Sequence, residues 1–293
     1  MRAARAALTT ATRTVKKKRR RRRRRTVGLL SLSTAGLAFA FSSSSSSAKM
    51  EGGPRGGSSF ASAAKKPEFA EMMSPPPFVF ETGGACDKSI VFLHGLGDTG
   101  RGWSDVPQQS QLRDIPNARW IFPNAPMISV TLNAGMTMPG WFDMNSLERE
   151  NLVDDEGRID KAWRFVDALI EDEVSKGISP SKIVVGGFSQ GGAIALTHAL
   201  TSKYNIAGYV GLSTYLPMAD SYAKEGMSEK KGVKVFQAHG TADPVLRFDY
   251  GASSCEKLKS LGLDVQFESY AGMAHSACAE ELDDWKDFMK KLF

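Results

Sequence analysis

A serine set between glycines is the stretch of this sequence best suited to chemistry. Residues 187–191 read Gly-Phe-Ser-Gln-Gly, with Ser189 at the centre. They match the pattern Gly-x-Ser-x-Gly, in which a sharp turn from a strand into a helix presents a nucleophilic serine. The β-branched run before the pattern predicts a buried strand, and the small and apolar residues after it predict a helix packed on a sheet. Because so short a pattern also arises by chance, the rest of the chain must supply the partners of the serine.

Two residues farther along the chain are suited to activate such a serine. Asp243 lies in a glycine-rich loop after the predicted strand Val233–Gln237, where an aspartate can accept the Nδ1–H of a histidine and fix its tautomer. The alternative is an ordinary turn aspartate before Pro244. His275 lies on the loop after the last predicted strand and is, of the four histidines, the best placed to act as a base.

The other three histidines suggest supporting roles. His94 and His239 each precede a glycine at a strand end, which predicts that they shape loops behind the reacting groups, and His198 on the helix after the serine is expected to be structural. The loop opened by His94 reads His-Gly-Leu-Gly-Asp. A loop of this type after an early strand supplies one backbone N–H of an oxyanion hole, for which Leu96 is the candidate. An ordinary glycine turn is the alternative.

The order of these residues and the elements around them predict the fold. Ser189, Asp243 and His275 follow one another in the order typical of the α/β-hydrolase fold, which differs from that of the two common serine-protease folds. Predicted strands alternate with amphipathic helices, such as Ile159–Val174. This alternation predicts an α/β fold: a mostly parallel central sheet with helices on both faces, in a single domain at 78–293.

A methionine-rich segment precedes two aromatic residues near the middle of the chain. Residues 127–141 are predicted as a loop that contains Met127, Met136 and Met138 and ends at Trp141, followed by Phe142. Methionines and aromatic residues near a serine are suited to line a pocket for an apolar acyl chain. Core filling beneath a long loop explains them equally well.

Charge is distributed unevenly along the chain and excludes one class of partner. The net charge of the whole chain is +6, yet residues 1–50 hold 14 lysines and arginines and no acidic residue. The remainder is therefore acidic, and nothing in it suggests nucleic-acid binding. Three cysteines, an odd and low number, indicate a reducing compartment without a disulfide framework. None of them has the spacing of a zinc site, and no metal is predicted.

The first 77 residues are interpreted as a leader and linker. Residues 1–15 resemble an organelle transit peptide in composition, and a basic block at 16–25 is followed by an apolar run at 27–41 that is short for a membrane span. These features fit import into a chloroplast or mitochondrion, whereas a nuclear-localisation or anionic-surface role also fits the basic block. If translation starts at Met50, or if the leader is no signal, the protein is expected in the cytoplasm. Disorder is predicted over 42–66.

The motifs together resemble the acyl-protein thioesterase family, which belongs to the phospholipase/carboxylesterase group of α/β-hydrolases. The resemblance covers roughly residues 78–293. It rests on the motifs His94–Asp98, Pro139–Asp143, Gly187–Gly192, Leu212-Ser213 with Leu216-Pro217, His239-Gly240 with Asp243–Val245, and the His275 loop.

The resemblance implies roles for single residues. Ser189 would be the nucleophile, His275 the general base and then acid, and Asp243 its orienting partner. The backbone N–H groups of Leu96 and Gln190 would form the oxyanion hole. Residues implied near a substrate pocket are Met138, Trp141, Phe142, Tyr215 and Leu216. Some members have tryptophan where this chain has Tyr215, so the preferred acyl length is left open.

The resemblance also implies substrates and alternatives. Members of the family cleave fatty thioesters on lipidated proteins, and many cleave lysophospholipids or small esters, without a cofactor. S-acylated proteins, small acyl esters and lysophospholipids are the expected partners, with transient contact to a membrane surface. A general carboxylesterase or lysophospholipase is the alternative enzyme, and a non-catalytic ligand-binding protein on the same scaffold is the alternative from another class. The sequence gives no indication of the oligomeric state.

Overall fold

The computed structural model describes residues 60, 63, 65–222 and 230–293. The predicted transit segment, basic block, apolar run and alternative start at Met50 lie outside the described residues. Among the helices that are described, none combines the length and the apolar character needed to cross a membrane.

A seven-stranded sheet forms the centre of the described chain. Its strands are β1 (Phe78–Thr82), β2 (Lys88–Leu93), β3 (Ala118–Phe122), β6 (Ile183–Phe188), β7 (Gly208–Leu212), β8 (Lys234–Gly240) and β9 (Asp264–Tyr270), in the spatial order β1-β3-β2-β6-β7-β8-β9. Only the edge strand β1 is antiparallel to its neighbour, and every other described pair in this sheet is parallel. The carboxyl ends of the parallel strands therefore share one edge, where ligands of open α/β sheets bind.

Helices cover both faces of this sheet. They are α1 (Gly100–Ser104), α2 (Val106–Gln109), α3 (Glu156–Ser175), α4 (Gln190–Thr201), α5 (Phe248–Ser260) and α6 (Ala279–Leu292). Successive residues of β2 point to opposite faces. Val91 and Leu93 pack in an apolar cluster with α3, α4 and α5, whereas Ile90 and Phe92 pack in a second cluster with α6. The predicted α/β fold with helices on both faces is confirmed.

The segment predicted as a methionine-rich loop is a hairpin instead. Strands β4 (Met127–Val130) and β5 (Met136–Pro139) pair antiparallel, apart from the main sheet. Along β4, Ile128 and Val130 are buried while Met127 and Ser129 are exposed. Buried and exposed side chains that alternate along the chain are typical of a strand, but a strand of four residues gives too weak a signal for prediction. Strand β1 and helix α5 are further elements that the sequence analysis did not predict.

The chain immediately before β1 packs into the core. We call residues 60, 63 and 65–77 the N-terminal strap. Phe60 and Ala63 are buried, and the Ala63 N–H donates to Asp172 Oδ2 on α3 at 3.1 Å. The Phe69 ring lies 5.5 Å from that of Phe165, also on α3. The disorder predicted over 42–66 falls mostly outside the described residues, but it is wrong for Phe60 and Ala63, because α3 offers them an apolar surface.

Candidate active site

Ser189 occupies a strained turn between β6 and α4. Its φ of +52° lies in the left-handed region that favours glycine. The two flanking glycines leave room for this turn: a Cβ on Gly187 would lie 2.3 Å from the carbonyl carbon of Gly191, and a Cβ on Gly191 would lie 2.3 Å from Leu93 O. Contacts this short exclude any side chain at either position. The serine therefore stands at the carboxyl edge of the sheet, at the N-terminus of a helix.

Hydrogen bonds hold the backbone of this turn in place. The Ser189 N–H donates to Leu212 O at 2.9 Å, and Ser189 O accepts from Ala193 N at 3.0 Å and from Thr214 Oγ1 at 2.7 Å. With both backbone polar groups satisfied, the strained geometry is retained by its surroundings.

Asp243 and His275 form a hydrogen-bonded pair at the ends of β8 and β9. His275 Nδ1 lies 2.7 Å from Asp243 Oδ2, and Asp243 Oδ1 accepts the N–H groups of Val245 and Leu246 at 2.9 Å each. Burial alone would raise the pKa of Asp243, but hydrogen bonds from His239 and His275 outweigh it, and the net pKa lies far below its usual value. Asp243 is therefore ionised at neutral pH and accepts the Nδ1 proton of His275.

His275 lies beside the serine turn. Its ring centre is 4.8 Å from that of Phe188, the residue before Ser189. The Asp243 side chain is fully buried, whereas the His275 side chain is 12% exposed and Ser189 is half-buried. Within the described residues no hydrogen bond joins Ser189 Oγ to His275; such bonds often tighten only when substrate is bound.

The backbone around Leu96 approaches the serine from the other side. A Cβ on Gly95 would lie 3.4 Å from Ser189 Cβ, which shows how closely this loop passes the serine. The Gly97 N–H donates to Pro139 O at 2.8 Å and fixes the loop. The N–H groups of Leu96 and Gln190 are taken up by no backbone acceptor among the described residues. Two free N–H groups near a nucleophile are suited to hold an oxyanion.

The Gln190 side chain ties the serine turn to the loop after β5. Gln190 Oε1 accepts the Trp141 N–H at 2.8 Å, and Gln190 Nε2 donates to Phe142 O at 2.7 Å. Trp141 Nε1 in turn donates to His94 O at 2.8 Å. The motif predicts a role only for the backbone of Gln190, and the role of its side chain was not predicted. A glutamine directly after a candidate nucleophile, with a buried aromatic pair elsewhere in the chain, is a faint signal at best.

His94 shapes the loop that carries Leu96. The Ala125 N–H donates to His94 Nε2 at 3.0 Å, so the ring proton lies on Nδ1 and is donated to Gly95 O at 2.7 Å. Burial lowers the pKa of His94. A neutral imidazole with a fixed tautomer thus links the two segments.

A cavity of about 370 Å³ is lined by two residues of the predicted pocket, but not by Ser189, Gln190 or His275. Tyr215 and Leu216 line it, together with Met144, Leu147, Leu152 and Tyr250. Trp141 and Phe142 are fully buried and do not line this cavity. Met138 lies elsewhere, with its sulfur 3.8 Å from the position of a Cβ on Gly97.

The described residues contain no group of three or more His, Cys, Asp or Glu side chains that could hold a metal ion. The chemistry available to this site is that of a serine hydroxyl beside an Asp–His pair and free backbone N–H groups.

A profile of the Phospholipase/Carboxylesterase family matches residues 75–293, which include every residue of the site. The chain belongs to the phospholipase/carboxylesterase family. It is an enzyme of the serine-hydrolase type.

Proteins similar to this family member carry a narrower description. Acyl-protein thioesterase 1 of Mycosarcoma maydis is 44% identical over 217 residues, which cover 70% of this chain and 90% of that protein. Acyl-protein thioesterase 1 of Cryptococcus neoformans var. neoformans serotype D is 42% identical over 218 residues, covering 69% of this chain and 90% of that protein.

Two solved structures are similar as well. Zea mays acyl-protein thioesterase 2 superposes with a TM-score of 0.64 at 31% identity and covers 74% of this chain and 98% of its own. Arabidopsis thaliana SOBER1 superposes with a TM-score of 0.63 at 31% identity and covers 70% of this chain and 98% of its own.

Proposed function

We propose that this family member is an acyl-protein thioesterase, which hydrolyses fatty thioesters on S-acylated proteins through an acyl-serine intermediate. The observation that carries the proposal is the strained Ser189 turn beside the hydrogen-bonded Asp243–His275 pair. Two relatives at 42% and 44% identity that are named acyl-protein thioesterases support the substrate class.

The proposed reaction has two acyl-transfer steps. His275 takes the Ser189 hydroxyl proton as Oγ attacks the acyl carbonyl, and the N–H groups of Leu96 and Gln190 hold the resulting oxyanion. The carbon–sulfur bond then breaks, and the leaving thiol takes the proton from His275. Water repeats the sequence on the acyl-serine and releases the fatty acid. Asp243 keeps its charge throughout and orients the His275 ring.

We place the acyl chain in the cavity lined by Tyr215 and Leu216. Its volume of about 370 Å³ is within the range of small-molecule sites, roughly 300–1,000 Å³. Trp141 and Phe142 would support the site from inside the core, and Met138 would border the Leu96 loop. The phenol of Tyr215 is buried without a hydrogen-bond partner among the described residues. The wall of the cavity is mixed, because apolar side chains such as Leu152 share it with charged ones such as Arg149 and Asp154.

The exposed methionines of the β4–β5 hairpin support transient contact with a lipid surface. Met127 is 61% exposed and Met136 is 56% exposed, although large apolar side chains usually avoid water when they can be buried. The hairpin leads directly into the loop of Trp141, near the proposed site. A lipidated substrate presents its acyl chain at a membrane, so apolar side chains at this rim would help the enzyme reach it.

The first test is a matched series of acyl thioesters and oxygen esters of short and long chains, with Ser189→Ala as the blank. We expect the highest kcat/KM for long-chain thioesters, release of fatty acid from a palmitoylated peptide, and no hydrolysis by Ser189→Ala at unchanged far-UV circular dichroism. Wild-type activity in Ser189→Ala would remove the proposed mechanism.

The same series separates the alternative enzyme. Because the family description includes phospholipases and carboxylesterases, preference for short oxygen esters with no activity on the lipidated peptide would identify a carboxylesterase. Failure of a fluorophosphonate to label Ser189 would indicate a non-catalytic member.

A further inference from the structure

A second histidine lies against the carboxylate of Asp243. His239 is fully buried near the end of β8, with Nε2 at 2.9 Å from Leu246 O and 3.4 Å from Asp243 Oδ2. Both of these oxygens are acceptors, so the ring proton lies on Nε2 and is shared between them.

The opposite edge of the His239 ring packs against helix α5. A Cβ on Gly251 would lie 2.3 Å from His239 Nδ1, and the Phe248 ring meets the imidazole edge-on with centres 5.9 Å apart. His239 Nδ1 is buried and has no hydrogen-bond partner in the part of the chain that the structure describes. A buried nitrogen without a hydrogen-bond partner lowers the stability of the fold, so its presence calls for an explanation.

We infer that His239 is a positioning residue, which holds the Asp243 carboxylate in the orientation that receives the His275 Nδ1–H. This inference rests on the proposed roles of Asp243 and His275. Asp243 Oδ2 lies between the two imidazoles, while Oδ1 is bound by the Val245 and Leu246 N–H groups. Rotation of the Asp243 carboxylate would break several of these hydrogen bonds together. The N–H of His239 is the contact that, with the others, holds the carboxylate in this orientation.

Gly251 contributes to the same positioning of Asp243. Because its missing side chain makes room for His239 Nδ1, any larger residue must displace the ring, and with it the Nε2–H near Asp243. Helix α5 thus sets the orientation of the Asp243–His275 pair through His239, without contacting His275 in the hydrogen-bond pattern.

The alternative is that His239 has only a packing role in the core. Glutamine and methionine distinguish the two roles, since both are unbranched and alike in length, but only glutamine offers an N–H donor in the place of Nε2. We compare His239→Gln with His239→Met in the full chain, using the ester that the wild-type enzyme cleaves best. We expect His239→Met to lower kcat by about tenfold or more, as for loss of a hydrogen bond to a charged group, with KM little changed. His239→Gln should recover most of the loss.

Gly251→Ala tests the inference from the other side of the ring. We expect it to lower kcat in the same way as His239→Met. Gly157→Ala is the control: this helical glycine is exposed, and its Cβ would meet only Asp155 Oδ1, at 4.0 Å, so kcat should stay unchanged. Equal losses in His239→Gln and His239→Met, or full activity in His239→Met, would overturn the inference.

A readout independent of turnover separates this inference from the proposed function. The Nδ1–H resonance of His275, assigned by its loss in His275→Gln, reports the hydrogen bond to Asp243 whether or not any ester is cleaved. We expect the resonance to shift upfield or broaden in His239→Met and to stay near its wild-type position in His239→Gln. An unchanged resonance in His239→Met would overturn the inference even if the enzyme proves to be a thioesterase. An inactive wild-type enzyme with the expected shifts would overturn only the proposed function.

Discussion

At the scale of single residues, the Gln190 side chain connects three segments that meet at the site. It binds both the N–H of Trp141 and the carbonyl of Phe142, and Trp141 reaches on to His94 O. His94 in turn bonds the carbonyl of Gly95, next to Leu96. The two candidate oxyanion donors are therefore linked through buried hydrogen bonds, so that neither is free to move alone.

We expect Gln190→Ala to lower both stability and turnover. The backbone N–H of residue 190 remains, but the Trp141 N–H and the Phe142 carbonyl lose their partners inside the protein, at a cost of about 1–3 kcal/mol per buried group. Chemical denaturation measures the first effect, and kcat on the best ester measures the second. Gln108→Ala is the matched control, because Gln108 Nε2 also donates to a backbone carbonyl, Ser104 O at 2.9 Å, but on α2. Equal kcat in the two variants would contradict the role of Gln190.

The residue types of the site follow from the sequence, but their contacts do not. The pattern around Ser189 needs glycine for local steric reasons, and the order of Asp243 and His275 follows the order of the strands, so local rules predict all three. The bond between Gln190 and Trp141 joins residues 49 positions apart. His239 was predicted to shape a loop, and nothing local indicates that Gly251 makes room for it. Such contacts depend on packing between elements, which a single sequence does not display.

At the scale of elements, helix α6 carries an unusual carboxyl group in its first turn. Glu281 is fully buried, and neither of its side-chain oxygens accepts a well-formed hydrogen bond from the described residues. Burial raises the pKa of Glu281 to about 8, only partly offset by the nearby Cys278 N–H. The helix follows the loop of His275, so its stability bears on the site.

Glu281 predicts that stability falls with rising pH. Because its folded-state pKa of about 8 lies above the ordinary value of 4.5, the protonated carboxyl stabilises the fold below pH 4.5. That contribution is lost as the pH rises toward 8. Glu281→Gln stays neutral, so we expect it to raise Tm by roughly 3 °C or more at pH 8 and much less at pH 5. Glu280→Gln, at the exposed neighbouring position, is the control. A Tm difference independent of pH would contradict the assignment.

Elements with a clear hydrophobic pattern in their own sequence could be predicted. Short strands that are stabilised mainly by pairing with another strand could not. The amphipathic pattern predicts helix α3 over 159–174, and the helix spans Glu156–Ser175. The side chain of Asp155, just before the helix, accepts the Arg158 N–H and caps its N-terminus. Strand β1 lies at the sheet edge, where β3 is its one partner among the described strands, and the β4–β5 hairpin is short. Neither carries enough apolar alternation to be recognised alone.

At the scale of the whole molecule, the N-terminal strap makes the folded unit longer than the family profile. The profile begins at residue 75, and the domain predicted from the sequence begins at residue 78. Phe60, Ala63 and Phe69 nevertheless lie buried in the core cluster with α3. Composition averages over a whole segment. In a segment rich in serine and alanine it therefore predicts disorder, even where a few apolar side chains pack on a complementary surface.

We expect removal of residues 1–59 to leave the folded unit intact and removal of residues 1–74 to destabilise it strongly. The longer deletion uncovers the α3 surface beneath Phe69 and Met72, both buried. As a single-site check, Phe69→Ala in the full chain should cost about 3–5 kcal/mol. Lys66→Ala, which removes a half-exposed ion pair with Glu171, should cost about 1 kcal/mol or less. Equal Tm values for the two deletions would show that the strap contributes nothing.

The strap also fixes a sequence of events during synthesis. Its Ala63 N–H is received by a carboxylate 109 positions farther along the chain, so a ribosome delivers the strap long before the helix that receives it. Until that helix has formed, the strap has no surface on which to dock. A protease or carrier that reads the N-terminal region therefore meets these residues exposed in the nascent chain and buried in the finished enzyme.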